Sequence, residues 1–227
     1  LEGGEPSLWK DGTYTIHDVV QFAQTLFFSV GMTTNGTVPL TVPTNTVWVS
    51  VDGLRETHNR IRDNSFDRVM EHIQSSNHPN IYANITINQE NYSEIPDLVK
   101  FLTGKVKGIT IQFHYPYEND DTLTLPFTER RQVLETLITL KREGYPITDS
   151  YLCLESLKDN SWHCHDWMLA NVEQDGSVNL GCYVKGRGDI QCKMCGFAAH
   201  TEISLAYEWH LEAILVGRKI FRYGENP

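Results

Sequence analysis

Apolar positions along the first 143 residues switch between two spacings, dense β-type runs and runs at three- and four-residue intervals. Gly3-Gly4-Glu5-Pro6 reads as a turn closing a strand. Ile16 to Val30 (IHDVVQFAQTLFFSV) carries a helical period, with Thr15 as N-cap and Gly31 as the stop. Met32 to Gly36 reads as a short strand, and Thr46 to Val51 (TVWVSV) as another ending at Asp52-Gly53. A helix is expected over Ser65 to Ile73, capped by Ser65, and a strand over Ile81 to Ile87 (IYANITI). Ser93 to Leu102 reads as a helix with acidic residues in its first turn and Gly104 after it. Gly108 to Tyr115 (GITIQFHY) is a strand closed by Pro116, and Thr128 to Arg142 is the best helix, ended by Gly144. Beyond it the pattern predicts a strand over Ile147 to Leu154 and a hairpin about Asp175-Gly176 in MLANVEQDGSVNLG. A helix from about Glu202 to Val216 and an exposed tail, GRKIFRYGENP, complete the chain.

Strands separated by helices call for parallel strands with right-handed crossovers, so the class is α/β. A doubly wound sheet and a (β/α) barrel both fit. No GxGxxG follows a strand and no P-loop is present, which removes the simplest nucleotide-binding arguments. Polar residues stand where strands end: Glu5, Asn35, Ser50 with Asp52, Asn88, and Gln112 with His114. Carboxyl ends of parallel strands are where α/β barrels keep their chemistry. Asn, Asp and Gly also end strands simply because they make turns.

Four of the five cysteines fall in the last third as C-x17-C-x9-C-x2-C: Cys164, Cys182, Cys192 and Cys195. A C-x-x-C loop turns two thiolates into one pocket, and the hairpin between Cys164 and Cys182 delivers the other two, which favours a shared metal centre. Zinc and an iron–sulfur cluster suit this donor set equally well, and a pair of disulfides would require an oxidising compartment. An odd cysteine count and no visible signal peptide weigh against the disulfides. His163 and His165 flank Cys164 and are expected beside the centre or on the surface, and Cys153, in TDSYLCLESL, as a buried small hydrophobe.

The balance of 19 basic against 29 acidic residues gives a net charge of −10 and a pI near 5.3, which argues against a nucleic-acid groove. No apolar stretch reaches the roughly 18–20 residues of a membrane span. With 227 residues there is room for one substantial core, or one core plus a small module, and a cytoplasmic setting is the default reading. Leu1-Glu2-Gly3-Gly4 reads as the tail of a strand already under way, so a longer polypeptide is expected.

In order along successive β/α units, G(3)GEP(6), T(34)NG(36) and S(50)VDG(53), followed by ETHNRIR with His58 and Arg62, resemble the radical S-adenosylmethionine enzymes. The C-terminal cysteines, with Gly176 in the hairpin, resemble the half-size auxiliary-cluster module called a twitch domain, a shortened SPASM domain. The resemblance covers essentially the whole chain. It implies a partial (β/α)6 barrel over residues 1–146 and a cluster domain over 147–227, carrying one auxiliary 4Fe–4S cluster on Cys164, Cys182, Cys192 and Cys195. The family's C-x3-C-x2-C loop for the catalytic cluster is absent from this chain and is expected on a preceding segment, and no cysteine follows Cys195.

The resemblance further implies roles for single residues. Gly3, Gly4, Glu5 and Pro6 would meet the methionine amino group of S-adenosylmethionine, Ser50 the ribose hydroxyls, and Arg62 the methionine carboxylate. Asp52 completes that motif, Asn35 would shape the floor beside the ribose, and Gln112 and His114 would face adenosine or substrate. The implied chemistry is radical abstraction from an unactivated C–H bond of a peptide, lipid precursor or small metabolite, with an electron donor such as flavodoxin or ferredoxin. Two other readings stay open: a non-catalytic zinc or iron–sulfur module on an α/β scaffold, and a barrel enzyme with a structural zinc and unrelated chemistry at Glu5, Asp52 and His114.

Overall fold

The computed structural model describes residues 1–117, 121–185, 188 and 190–222. A 3₁₀ turn at Pro6–Leu8 and a short antiparallel ribbon, β1 (Lys10–Asp11) with β2 (Tyr14–Thr15), lead into α1 (Ile16–Gln24). Then come β3 (Gly31–Thr34), β4 (Thr46–Ser50), α2 (Arg55–Ile61), α3 (Phe66–Ser75) and β5 (Ile81–Ile87). They are followed by α4 (Ile95–Leu102), β6 (Gly108–Phe113) and α5 (Phe127–Arg142). The C-terminal part holds α6 (Tyr151–Ser156), the antiparallel hairpin β7 (Ala170–Val172) with β8 (Val178–Leu180), α7 (Ala198–Tyr207) and α8 (Leu211–Phe221). Among the described residues no helix is long and apolar enough to cross a membrane.

β3, β4, β5 and β6 form one parallel sheet in that order, as the α/β class requires. The sheet is open, and no closure into a barrel is present among the described residues. Each edge carries one further parallel contact. On β6, Ile109 donates to Pro146 O and accepts from Thr148 N, both at 2.8 Å, so Ile147 forms a bridge beside it. On β3, Leu1 donates to Gly31 O at 2.7 Å and accepts from Thr33 N at 2.9 Å, bracketing Met32 in the same pattern.

The register and the two-residue period divide the sheet into unlike faces. Val47, Val49, Ala83, Ile85, Ile87, Ile109, Ile111 and Phe113 share one face and are buried in a single core with α3, α4 and α5. Ser50, Asn84, Thr86, Thr110 and Gln112 share the other. Parallel strands covered on both sides read as continuous apolar runs, and these do not. Where Trp48 and Tyr82 replace polar residues at the amino end of that second face, Val216, Ile220 and Phe221 of α8 cover them. The three crossover helices therefore wind on one side of the sheet.

Several expected elements take other bounds. α1 ends at Gln24 rather than Val30, because after Thr25 the apolar side chains have no surface to bury: Leu26 and Phe27 are exposed, and Phe28 is 98% exposed. α2 was not expected at all. Ile147 to Leu154 is not a strand: only Ile147 bridges β6, and Tyr151 onward is helical because the Ser150 side chain caps the Cys153 N–H. The long C-terminal helix is two, broken where Trp209 takes a φ of 65°. The tail is helical through Phe221, with Thr46 Oγ1 and Asn80 Nδ2 both donating to Ile220 O, and Tyr223 onward lies outside the described residues.

Gly108 starts β6 where no side chain fits: a Cβ there would press on Thr148 Oγ1 and come within 2.6 Å of the Tyr82 ring. Gly108→Ala is expected to cost about 1–3 kcal/mol of unfolding free energy, measured by urea denaturation, as overpacking of a filled site does.

Candidate functional sites

The first site lies at the carboxyl ends of the strands. The Glu5 carboxylate binds the opening turn to the end of β3, accepting from Thr34 Oγ1 at 2.7 Å, Asn35 N at 2.6 Å and Ser7 N at 3.0 Å. Gly3 and Gly4 precede it at φ of 97° and 54°, with open space about them, and Pro6 is buried. The Asn35 side chain is turned on its own loop, accepting from Thr37 N at 2.9 Å.

Asp52 is 2% exposed and held from four directions. Its Oδ1 accepts from Thr86 N at 2.7 Å and its Oδ2 from Arg62 Nε at 2.5 Å. Its N–H donates to His58 Nδ1 at 3.3 Å, and its carbonyl accepts from Asn91 Nδ2 at 2.7 Å. The His58 ring is buried, and desolvation pulls its pKa down to about 4, so the imidazole is neutral. With Nδ1 accepting, Nε2 carries the proton and donates to Ser65 Oγ at 3.1 Å, which in turn donates to the Arg62 carbonyl at 2.6 Å. His58 thus braces the turn that presents Arg62. Gly53 is required beside it because a Cβ would run into Glu94 Oε1, which accepts the Leu54 N–H ahead of α2.

Arg62 spends only Nε on Asp52; its two terminal nitrogens make no hydrogen bond among the described residues, and its side chain is partly exposed. The Ser50 hydroxyl is likewise without a partner there. Gln112 donates to Thr86 Oγ1 at 3.1 Å, and His114 meets Asp121 at 2.6 Å. Asn88 closes a turn by accepting from Glu90 N at 2.8 Å. Sequence reasoning missed Asn84, Thr86 and Thr110, although the two-residue polar period in IYANITI and GITIQF marks them.

The second site is a cavity of about 720 Å³ lined by Cys164, Cys182, Cys192 and Cys195 together with Tyr115, Phe127, Trp162, Phe197 and His200. The hairpin delivers Cys182: Gly181 N donates to Leu169 O at 2.9 Å, and Gly181 takes a φ of 110° where a Cβ would meet Asp166. The C-x-x-C loop is fastened at three points. Phe113 N, ending β6, donates to Gly196 O at 2.9 Å; Arg130 Nη2 donates to Cys195 O at 2.8 Å; Asn160 Nδ2 donates to Lys193 O at 2.8 Å. Burial, reinforced by the neighbouring thiols, pushes Cys164 up to about 11 and raises Cys195 as well.

The donor set fits a thiolate-ligated metal centre. No three of the four sulfurs lie within 4.8 Å of one another; among the described residues the group of three that does is Asp149, Cys153 and Glu202. A tetrahedral zinc with bonds of about 2.3 Å holds its sulfurs roughly 3.8 Å apart, so at least one sulfur in any three would have to move to share one zinc ion. In the wall, Trp162 Nε1 and His200 Nδ1 are buried without a partner among the described residues, as is Arg130 Nε behind Cys195. His163 and His165 do not line the cavity; His165 pairs with Glu208 at 3.0 Å.

The Asp149–Cys153–Glu202 group, also missed, packs at the start of α6 and spends its oxygens on backbone N–H groups and the Ser150 hydroxyl. Asp149 accepts from Ile111 N at 2.9 Å, and Glu202 accepts from Ser150 N and Oγ. Cys153 is fully buried, as expected, its Sγ donating to Ala198 O at 3.7 Å. Burial, with Glu202 adding to it, pushes Asp149 up to about 8. Compared with known proteins, the chain matches no family model, no curated protein and no solved structure.

Asp52→Ala is expected to destabilise by about 3–5 kcal/mol in denaturant titrations, because the Arg62 charge and the Thr86 N–H lose their acceptor in a buried place. Asp149 generates a pH effect of definite sign. A carboxyl that holds its proton to about pH 8 when folded, and only to about 4 when unfolded, stabilises at low pH and less as pH rises between them. The stability advantage of the wild type over Asp149→Asn should fall across that window, by at most about 1.4 kcal/mol per pH unit, in melts run from pH 4 to 8.

Proposed function

We propose that this chain is part of a radical S-adenosylmethionine enzyme, in which a partial (β/α)6 barrel is followed by a module holding one auxiliary 4Fe–4S cluster. The observation that carries the proposal is the meeting of Cys164, Cys182, Cys192 and Cys195 on one cavity fastened to the end of β6. The one-sided winding of a parallel sheet with a polar second face supports the barrel, as do the single bridges on both sheet edges.

The residues of this chain would bind and orient. Arg62, aimed by Asp52 and His58, keeps two N–H faces for a carboxylate, a bidentate arrangement suited to the methionine end of S-adenosylmethionine. Ser50 has a hydroxyl free for the ribose, and Glu5 Oε2, with one donor, has room for the ammonium. Gln112 and His114 border the same face from β6. Cys164, Cys182, Cys192 and Cys195 would hold the auxiliary cluster as thiolates, which stores or relays electrons when bound. The catalytic cluster and its reductive chemistry would come from a C-x3-C-x2-C loop on a preceding segment, which the proposal requires.

Protein prepared anaerobically with iron and sulfide should bind about four of each per chain, with broad absorption near 400 nm and a reduced-state EPR signal. Replacing Cys192 and Cys195 together by Ala should abolish both. One tightly held zinc, with colourless, iron-free protein, would overturn the cluster and leave a structural zinc module.

A further inference from the structure

Arg130 is the unusual charge in this molecule. It occupies the apolar stripe of α5, in line with Val133, Leu134 and Leu137, and is 2% exposed. It forms no ion pair among the described residues. Nη2 donates at 2.8 Å to Asn160 Oδ1 and to the Cys195 carbonyl, both neutral acceptors, and Nε has no acceptor among the described residues. The rings of Phe113 and Phe127 stand 4.5 and 5.3 Å from its guanidinium carbon. Hydrogen bonds to neutral carbonyls and ring faces offset only part of the several kcal/mol that removing a cation from water costs. The structure places that cation directly behind Cys195, bonded to its carbonyl, with Cys195, Asn160 and Phe127 between it and the four-thiol cavity that they line.

We propose that Arg130 is the counter-ion of the centre that Cys164, Cys182, Cys192 and Cys195 hold, and that it sets the reduction potential of that centre. The inference rests on the cluster reading above. A cluster ligated by four thiolates is a net anion in both redox states and gains one more negative charge on reduction. A fixed guanidinium beside it stabilises the reduced form more than the oxidised form and raises the potential. Asp159 and Asp166, on the same cavity, act in the opposite sense, and Lys193 with Arg130 offsets them. Arg130 would act through the field and through its bond to the Cys195 carbonyl, as a positioning residue that touches no substrate.

The test is an EPR-monitored redox titration of iron-loaded wild type, Arg130→Lys, Arg130→Gln and Arg130→Met, with iron content and circular dichroism measured on each. At the wild-type midpoint, Arg130→Gln and Arg130→Met should show a reduced-to-oxidised ratio about tenfold lower, a negative shift of about 59 mV for a one-electron couple. Arg130→Lys, which keeps the charge, should stay near wild type. An unchanged midpoint in the fully loaded neutral variants overturns the proposal, and so does an Arg130→Lys midpoint as low as theirs. Should the neutral variants fold but take up no iron while Arg130→Lys loads, the charge is required for assembly and the proposal stands. If Arg130→Lys also folds and fails to load, the planar hydrogen bonds matter and the charge does not, which overturns it. A wild type that takes up no iron defeats the cluster reading itself, a separate result.

Discussion

The carboxyl end of the sheet depends on the buried carboxylate of Asp52. β4 stops at Ser50, one step before the backbone could pair with Thr86, and the Asp52 side chain supplies the acceptor in its place. Its other oxygen holds Arg62, ten residues further on at the end of α2, just before the turn into α3 that passes through positive φ at Asp63 and Asn64. A carboxylate taken from water needs such donors to offset its lost hydration. The same donors fix two strands, a helix end and a loop relative to one another. His58, neutral in its apolar surroundings, adds stiffness without adding charge, so the one cation left partly open at that end is Arg62 among these motif residues.

The sheet joins this end to the cysteine cavity through β6. Gln112 belongs to the polar face, while the next residue, Phe113, turns its side chain to the apolar core and its N–H to Gly196, immediately after Cys195. Gly196 allows this approach because any side chain there would run into Phe113. Beyond it, Tyr115 stacks on Phe197 with ring centroids 5.5 Å apart and accepts from Gln191 N. One strand end thus touches both sites. A group held by the cysteines and one held at Arg62 would be ordered by a common piece of rigid backbone.

The five cysteines separate into two kinds by surroundings. Cys153 lies among apolar side chains and buried carboxylates that disfavour its thiolate, which suits packing and nothing more. The other four meet at a cavity lined also by Trp162 and His200, with a guanidinium that has no anionic partner among the described residues behind Cys195. Raised thiol pKa values there describe the groups before ligation; metal binding would release their protons, and its affinity would rise with pH.

Period alone determined much of this protein. Alternation of two-residue and helical spacing marked every strand of the sheet, the hairpin at Asp175-Gly176 and the long helix α5, because those segments bury a face wide enough to dominate the pattern. The C-x-x-C spacing likewise singled out two of the four cysteines that line one cavity, since a tight turn is a local property. Tertiary structure decided the rest. The helix of Tyr151–Ser156 was hidden because its cap is completed by Glu202 and Glu212 from distant segments. The α1 boundary depended on which apolar residues found a partner surface, and Leu26 to Phe28 found none. That Arg130 sits in the apolar stripe of α5 without an anionic partner among the described residues is a fact about three-dimensional neighbours. So is the choice of side on which the helices wind, which left one face of the sheet polar.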